Sequence, residues 1–138
     1  MALTVNTMGD NPQTPGIYAE TYVPDQLIAG QHDIVTANGT FLTGAIVQRG
    51  AVLGMITASS KYVLALAAAT DGSQTPVAIA ADYIDPTLGD VNGALYLAGE
   101  FNGAALTLGT GITLAAATAA LRPLSIYIKS SVTAADPT

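Results

Sequence analysis

The chain has 138 residues, a length that suits one domain with its own hydrophobic core. It contains no cysteine, which excludes disulfide bonds and thiolate chemistry, and only 10% of its residues are charged, against about 25% in a typical soluble domain. The formal net charge is −6 and only four residues are lysine or arginine, too few to neutralise a track of phosphates. Nucleic-acid binding is therefore not expected.

The mean hydropathy of +0.44 raises the question of a membrane segment. The longest apolar run extends from Tyr62 to Ala69 and is much shorter than the roughly 20 residues that span a bilayer. The N-terminus has no basic region followed by an apolar block, so no secretory signal is predicted. We expect a soluble chain that is made inside the cell and does not bind a membrane.

A soluble chain with so few charges must cover much of its surface with alanine, threonine and glycine. One interpretation is a domain that is simply rich in small residues. The other is that copies of the chain, or a large partner, cover much of the surface in the working state. The second interpretation fits structural assembly proteins better than free enzymes.

Residues 1–23 are predicted to form an extended or flexible N-terminal arm, because the first sixteen are polar and interrupted by Pro12 and Pro15. The last seven alternate weakly in polarity and stop at Pro24-Asp25, as an extended segment does. Such a segment can add a strand to the sheet of a partner, pair with its own sheet, or remain disordered. The arm residues that we predict to bind a partner are Ile17, Tyr18, Ala19, Glu20, Thr21, Tyr22 and Val23.

Residues 24–130 are predicted to form a single β-rich domain of about seven short strands, and residues 131–138 a polar tail. Asn38-Gly39 predicts a hairpin turn. In the strand around Val52, both faces are mostly apolar, which predicts a central position in the sheet. Further strands are expected from Val77 to Ile84, from Ala94 to Gly99 and from Leu124 to Lys129.

One helix is predicted shortly before the last strand. Thr113 can cap its N-terminus, and Pro123 disfavours helical backbone at Arg122 and so ends it. Arg122 then lies at the negative end of the helix dipole. The apolar face of this helix is expected to consist of Leu114, Ala117 and Leu121.

Residues for catalysis are scarce. His32 is the only histidine, so a two-histidine metal site is excluded, and its place in a turn favours a solvated side chain. Glu100 and Arg49 are expected to form at most a weak surface ion pair. A calcium site could use the loop carboxylates, but they lack the spacing of a known calcium loop, so solvated turn carboxylates are favoured. These carboxylates are Asp82, Asp85 and Asp90. No catalytic residue, metal site or cofactor is predicted.

Four stretches, each a turn with a hydrophobic strand, carry a specific resemblance when taken in order. Together they resemble the head decoration protein family of tailed bacteriophages, the group similar to lambda protein D. The resemblance extends from Pro24 to Lys129. The stretches are Arg49-Gly50-Ala51-Val52-Leu53-Gly54, Ala68-Ala69-Thr70-Asp71-Gly72-Ser73-Gln74-Thr75-Pro76-Val77, Gly99-Glu100-Phe101-Asn102 and Leu106-Thr107-Leu108-Gly109-Thr110-Gly111.

The resemblance implies a mainly β fold, a β-rich α+β arrangement, with a compact small-barrel or β-tulip-like domain, one short helix and an extended arm. It implies trimers on the outer surface of the expanded head, at three-fold and quasi-three-fold positions, that stabilise the shell against packaged DNA. The partners would be the major capsid protein and further copies of the chain. The protein would be made in the host cytoplasm, have no enzymatic activity or cofactor, and order its arm on strands of the capsid protein.

Two other classes of function remain open. One is a different structural β-module of the virion, such as a tail or adhesin-type surface domain, which would show no preference for expanded heads. The other is a small enzyme or ligand-binding barrel that uses His32 with Asp82 or Glu100. Replacing His32 by alanine would abolish the activity of such an enzyme and leave a decoration protein unaffected.

Overall fold

The computed structural model of the protein describes residues 25–130. Six strands form there: β1 (Val35–Phe41), β2 (Val52–Met55), β3 (Tyr62–Leu64), β4 (Pro76–Ala80), β5 (Val91–Asn102) and β6 (Ile126–Lys129). One α-helix, α1 (Leu114–Leu121), lies between β5 and β6, with short 3₁₀ turns at Gly103–Ala105 and Arg122–Leu124. No helix in this part of the chain is long and apolar enough to cross a membrane.

Five of the strands close into a barrel. Their order is β1-β3-β2-β4-β5, and β5 pairs in turn with β1 along the whole of β1, from Val35 opposite Ala98 to Phe41 opposite Val91. The pairing of β1 with β3 is parallel and the other four pairings are antiparallel. The expected small-barrel fold is confirmed.

The alternation of apolar residues places two separate cores on the two faces of the barrel wall. Side chains from all five strands fill the interior, among them Phe41, Leu53 and Leu95. The neighbouring residues Val52 and Tyr96 face outward into a second core. β2 is central, between β3 and β4, as the apolar character of both its faces predicts.

Helix α1 covers the outer core. The Thr113 hydroxyl accepts a hydrogen bond from the N–H of Ala116 at 3.2 Å, which caps the helix as predicted. Ala117 and Leu121 are fully buried, whereas Leu114 is 40% exposed and lies at the rim of the expected apolar face. The helix ends at Leu121, where a 3₁₀ turn containing Pro123 takes over.

The last four residues of β5 leave the barrel and become the middle of a small second sheet. Gly99 has a φ of +145°, a backbone conformation that side chains other than glycine rarely adopt, at the point where the two pairings meet. Beyond it, β6 pairs in parallel with Gly99–Asn102. On the other side of β5, Ile28 forms an antiparallel bridge with Phe101.

The predicted hairpin turn at Asn38-Gly39 is wrong. Both residues lie inside β1, opposite Ala94 and Gly93 of β5. A Cβ atom at Gly39 would lie 2.6 Å from side-chain atoms of Leu95 and Tyr62, so the glycine is required by close packing of the barrel wall. The local Asn-Gly signal yields to a pairing with residues more than fifty positions away.

The number of strands and two strand boundaries also differ from the predictions. Six strands form in residues 25–130, where about seven were expected. β4 ends at Ala80, and Ile84 forms only an isolated bridge with Val47. The last strand begins at Ile126 rather than Leu124, because Ser125 adopts the left-handed conformation that ends the preceding turn.

Candidate functional site

The predicted binding segment, Ile17–Val23, lies outside the described residues. The structure describes the place where the chain leaves the barrel domain toward this arm, which we call the arm root, residues 25–29. Among the described residues, the arm root is therefore the part that lies nearest in the chain to the predicted binding segment.

An ion pair fixes the first residue of the arm root. The guanidinium of Arg49 binds the carboxylate of Asp25, and its other nitrogen donates to the carbonyl of Ala81 at 2.6 Å and to the hydroxyl of Tyr96 at 3.0 Å. The bond from Arg49, with a second from the N–H of Leu27, holds the pKa of Asp25 below its ordinary value. The start of the domain is thus attached through Arg49 to the end of β4, at Ala81, and to the middle of β5, at Tyr96.

Main-chain pairing fixes the rest of the arm root. The carbonyl of Leu27 accepts from the N–H of Asn102 at 2.8 Å, and the N–H of Ala29 donates to the carbonyl of Glu100 at 2.9 Å. The Leu27 side chain is 3% exposed and packs in the outer core. The arm root therefore behaves as a short strand of the domain.

An apolar groove of about 330 Å³ lies on the barrel between β3 and the segment 42–47 that follows β1. Leu42, Val47 and Leu66 contribute to its walls. β1 and β3 pair only at Phe41 and Tyr62 and diverge beyond this pair. Within residues 25–130, the edge of β3 facing the groove is therefore unpaired at Leu64. Its lining is mostly apolar, and it also includes Asp71 and Ser73, whose side chains are hydrogen-bonded to each other at 2.6 Å.

A polar clasp holds the segment 42–47 in place at the end of the groove. The carboxylate of Asp90 accepts from the N–H and hydroxyl of Thr43 at 2.8 and 2.9 Å, and from the ammonium of Lys61 at 2.5 Å. These donors stabilise the charged carboxylate, with Lys61 the largest contributor, and lower the pKa of Asp90 to about 2. Asp90 is a structural residue of the β4–β5 loop.

The structure places two of the residues considered for an enzyme, His32 and Glu100, next to each other. His32 is exposed, its backbone N–H donates to Glu100 at 3.3 Å, and its ring packs on Tyr127 with centroids 5.2 Å apart. Glu100 pairs with Lys129 at 2.8 Å and not with Arg49, so the expected Arg49–Glu100 pair is wrong. The ammonium of Lys129 lowers the pKa of Glu100. Arg49 prefers Asp25 because the arm root places that carboxylate beside it.

The three loop carboxylates are not assembled into a metal site. Asp82 accepts from the N–H of Tyr83 at 2.8 Å, and Asp85 accepts from the hydroxyl of Thr87 at 2.6 Å. Asp90 belongs to the clasp with Lys61. Across residues 25–130, no group of three or more histidines or carboxylates lies close enough together to hold a metal ion. Asp82 and Asp85 make local turn contacts, as favoured from the sequence, whereas the expectation of a solvated turn carboxylate is wrong for Asp90, which binds residues far away in the chain.

Large apolar side chains are exposed at several points of the barrel domain. Leu88 is 102% exposed, Tyr83 52% and Val35 49%. The composition predicts an apolar surface, but no periodic pattern marks these positions, because Leu88 and Tyr83 lie in a loop.

Comparison with protein families decides the class of the protein. The family model described as bacteriophage lambda head decoration protein D matches residues 17–127, most of the chain. The chain belongs to this family. A comparison with curated protein sequences gives no significant match. As a member, the protein is a bacteriophage capsid decoration protein and a structural component of the virion, and the family resemblance predicted from the sequence is confirmed.

Proposed function

We propose that the protein stabilises the expanded head of its phage from the outside. It binds as trimers at three-fold and quasi-three-fold positions, where each trimer joins neighbouring capsomers and resists the pressure of packaged DNA. Its partners are the major capsid protein and further copies of the chain. The role requires neither an enzymatic reaction nor a cofactor.

The extent of the family match carries this proposal. The match begins at residue 17, so it includes the whole segment Ile17–Val23 as well as the barrel domain. A segment outside the barrel that belongs to the family's common sequence is expected to serve the common function. The arm root supports this role, since it is fixed to β5 by main-chain bonds.

The arm binds by adding a strand to an exposed sheet edge of the major capsid protein. Its main-chain N–H and C=O groups supply the hydrogen bonds, and alternate side chains face the capsid surface. Ile17, Ala19 and Val23 lie on one face of such a strand, and Tyr18 and Tyr22 on the other. Ordering the arm opposes binding, and main-chain pairing and apolar burial offset this cost.

Trimer formation strengthens each attachment. Once one arm of a trimer is bound, the other two are held near their own sites on neighbouring capsomers, so their binding becomes intramolecular. A modest affinity for each arm is then sufficient for a stable trimer on the shell. The fixed arm root keeps the effective concentration high, because it shortens the flexible length between barrel and capsid.

Co-sedimentation with undecorated heads tests the proposal. The full-length protein is expected to saturate expanded heads at three copies per three-fold site and not to bind unexpanded heads. A variant that lacks residues 2–23 is expected to fold and to bind poorly. The matched control lacks only residues 2–16 and retains the segment Ile17–Val23. Equal binding by both truncations would refute the role of the arm, and binding of the full-length protein to neither head form would favour the tail or surface-module function.

Proline substitutions test whether the arm binds as a strand. Proline removes the N–H group that a ladder bond needs. Successive residues of a strand point their N–H groups to opposite sides. Of the two single variants Thr21→Pro and Tyr22→Pro, one must therefore remove a ladder bond, whichever edge of the arm strand pairs with the capsid protein. One of the two is expected to weaken head binding by about ten-fold, while Thr7→Pro, in the polar segment before the arm strand, leaves it unchanged. Unchanged binding by both would exclude strand addition.

A further inference from the structure

Three of the four cations in the chain pair with a carboxylate of their own molecule. The pairs are Arg49 with Asp25, Lys61 with Asp90 and Lys129 with Glu100. Arg122 is exposed, and no carboxylate among residues 25–130 lies within ion-pair distance of it. In a chain of net charge −6, a cation without a carboxylate beside it is the exception.

A hollow with a mixed polar and apolar lining lies beside this arginine. It has a volume of about 200 Å³, lies between α1 and β6, and is lined by Thr118, Arg122, Tyr127 and Ile128. Tyr127 in its wall is 37% exposed, and Leu124, two residues after Arg122 in the chain, is 43% exposed. Arginine and tyrosine around a hollow are the side chains that most often dominate protein–protein interfaces. We call this surface the Arg122 patch.

The loop between β4 and β5 has complementary properties. Residues 82–90, which we call the acidic loop, carry Asp82 and Asp85 beside Tyr83 and Leu88. Tyr83 and Leu88 are the two most exposed large apolar side chains among the described residues, at 52% and 102%. The acidic loop therefore presents apolar side chains with negative charges next to them, whereas the Arg122 patch presents a partly apolar hollow with a positive charge in its wall.

Hydrogen bonds hold the acidic loop in a defined shape. The carbonyl of Pro86 accepts from the N–H of Gly44 at 3.0 Å, and Asp85 accepts from the N–H of Thr87 at 3.1 Å. The Asp90 clasp fixes its far end. The loop therefore loses its conformational entropy when the protein folds, and binding of Leu88 by a partner does not reduce that entropy much further.

The two surfaces cannot meet within one molecule. The acidic loop directly precedes Val91, the first residue of β5, whereas β6 pairs with Gly99–Asn102, the last four. At about 3.3 Å per residue, β5 separates β6 from the Val91 end of the acidic loop by roughly 30 Å and from the Asp82 end, which follows the bond between Ala81 and Ala94, by roughly 20 Å. Their complementarity can be used only between two copies. A contact between two different surfaces of identical copies is head-to-tail and can close into a ring.

We infer that the acidic loop of one copy docks on the Arg122 patch of the next copy, with Leu88 in the hollow and the loop carboxylates facing Arg122. Three such contacts close the ring of the trimer. The inference rests on the trimer of the proposed function and deepens it by naming its self-contact. It leaves the arms outside the ring contact, available for the capsid.

Site-directed cross-linking tests the contact directly. The chain has no cysteine, so two introduced cysteines react without background. Gly89→Cys adds a thiol beside Leu88, where a new Cβ has no atom within 4 Å, and Ala119→Cys adds one on exposed helix surface one turn before Arg122. The double variant, treated with a short bis-maleimide, is expected to give cross-linked trimers. Each single variant alone is expected to remain monomeric on a denaturing gel.

The reaction is carried out on decorated expanded heads and on the free protein at high concentration. Cross-linked trimers of the double variant in either sample support the head-to-tail contact. Monomers alone in both samples, or dimers from a single variant, overturn it. Co-sedimentation of the full-length protein is measured separately, so binding to heads without cross-linking refutes the contact and leaves the proposed function intact.

Charge exchange tests the role of Arg122. Arg122→Glu is expected to lower the yield of cross-linked trimers by about five-fold, whereas Arg122→Lys, which keeps the charge, stays near the parent level. Adding Asp82→Lys or Asp85→Lys to Arg122→Glu is expected to restore the yield in one of the two combinations. Failure of both combinations to restore it, with each variant folded, would exclude the ionic part of the contact.

Discussion

Asp90 shows how a single carboxylate can hold two loops of the barrel together. It accepts bonds from Thr43 on one side and from Lys61 on the other, and its pKa falls from the ordinary 3.8 to about 2. A carboxyl whose pKa is lower in the folded state stabilises the fold fully above its unfolded pKa. This stabilisation is lost as the pH falls through the range from 3.8 to about 2.

Asp90→Asn is therefore expected to lower the free energy of unfolding at pH 7. At pH 2, the difference in this free energy between the variant and the parent protein is expected to be smaller. The amide cannot bind Lys61 as a carboxylate does, and at low pH the parent loses the same interaction. Urea unfolding followed by circular dichroism at both pH values measures the difference. Asp33→Asn, at an exposed aspartate outside the clasp, serves as the control. A difference that persists undiminished at pH 2 would contradict the linkage.

Gly39 provides a test of the barrel wall at the scale of one atom. Gly39→Ala is expected to destabilise the protein by about 1–3 kcal/mol, because the added methyl group overlaps the Leu95 and Tyr62 side chains. Gly89→Ala is the matched control, since a Cβ there meets no atom within 4 Å, and its effect should stay within about 0.5 kcal/mol. Urea unfolding compares the two variants. Equal stabilities would show that the strands do not pack as closely as described.

At the scale of elements, we expect the arm root to mark the boundary between arm and barrel domain. A chain that begins at Pro24 keeps Leu27 in the outer core and the two main-chain bonds to β5. A chain that begins at Gln31 loses both. We expect the first truncation to match the parent in thermal unfolding and the second to lose about 3 kcal/mol or more. Similar stability of the two would place the domain boundary after the arm root.

The elements that could be predicted from sequence are those specified locally. Helix α1 has a cap at Thr113 within its own stretch of chain and ends next to Pro123, although Arg122 keeps the helical backbone that Pro123 was expected to disfavour. β2 was expected to be central because each of its faces is apolar. Asn38-Gly39 misleads because its local turn preference is weaker than the seven pairings of β1 with β5.

What could not be predicted depends on residues far apart in the chain. Closure of the barrel pairs β1 with β5, and no short pattern records which strands become neighbours. The ion-pair partner of Arg49 could not be predicted for the same reason. Asp25 and Glu100 carry the same charge, and only the folded position of the arm root brings Asp25 close to Arg49. The Arg122 patch likewise joins a helix end to a strand, and its hollow exists only in the folded chain.

At the scale of the whole molecule, we expect attachment to the head to depend on main-chain pairing and apolar burial. Only 10% of the residues are charged, and three of the four cations already pair within the molecule. Each copy carries a net charge of −6, so neighbouring copies on a crowded shell repel one another. Salt screens this repulsion over a Debye length of about 10 Å at 0.1 M and leaves close or desolvated contacts much less affected.

Salt dependence of head binding therefore separates the two kinds of attachment. Raising the sodium chloride concentration from about 0.05 to about 0.5 M is expected to leave the half-saturation concentration in co-sedimentation unchanged or to lower it by a few-fold. The Arg122 contacts do not reverse this trend, because exposed ion pairs contribute little beside the burial of Leu88. A protein held by cations would instead bind more weakly at each step of salt. A steep loss of this kind would refute attachment through strand pairing and apolar contact, and would require a positive surface that residues 25–130 do not carry.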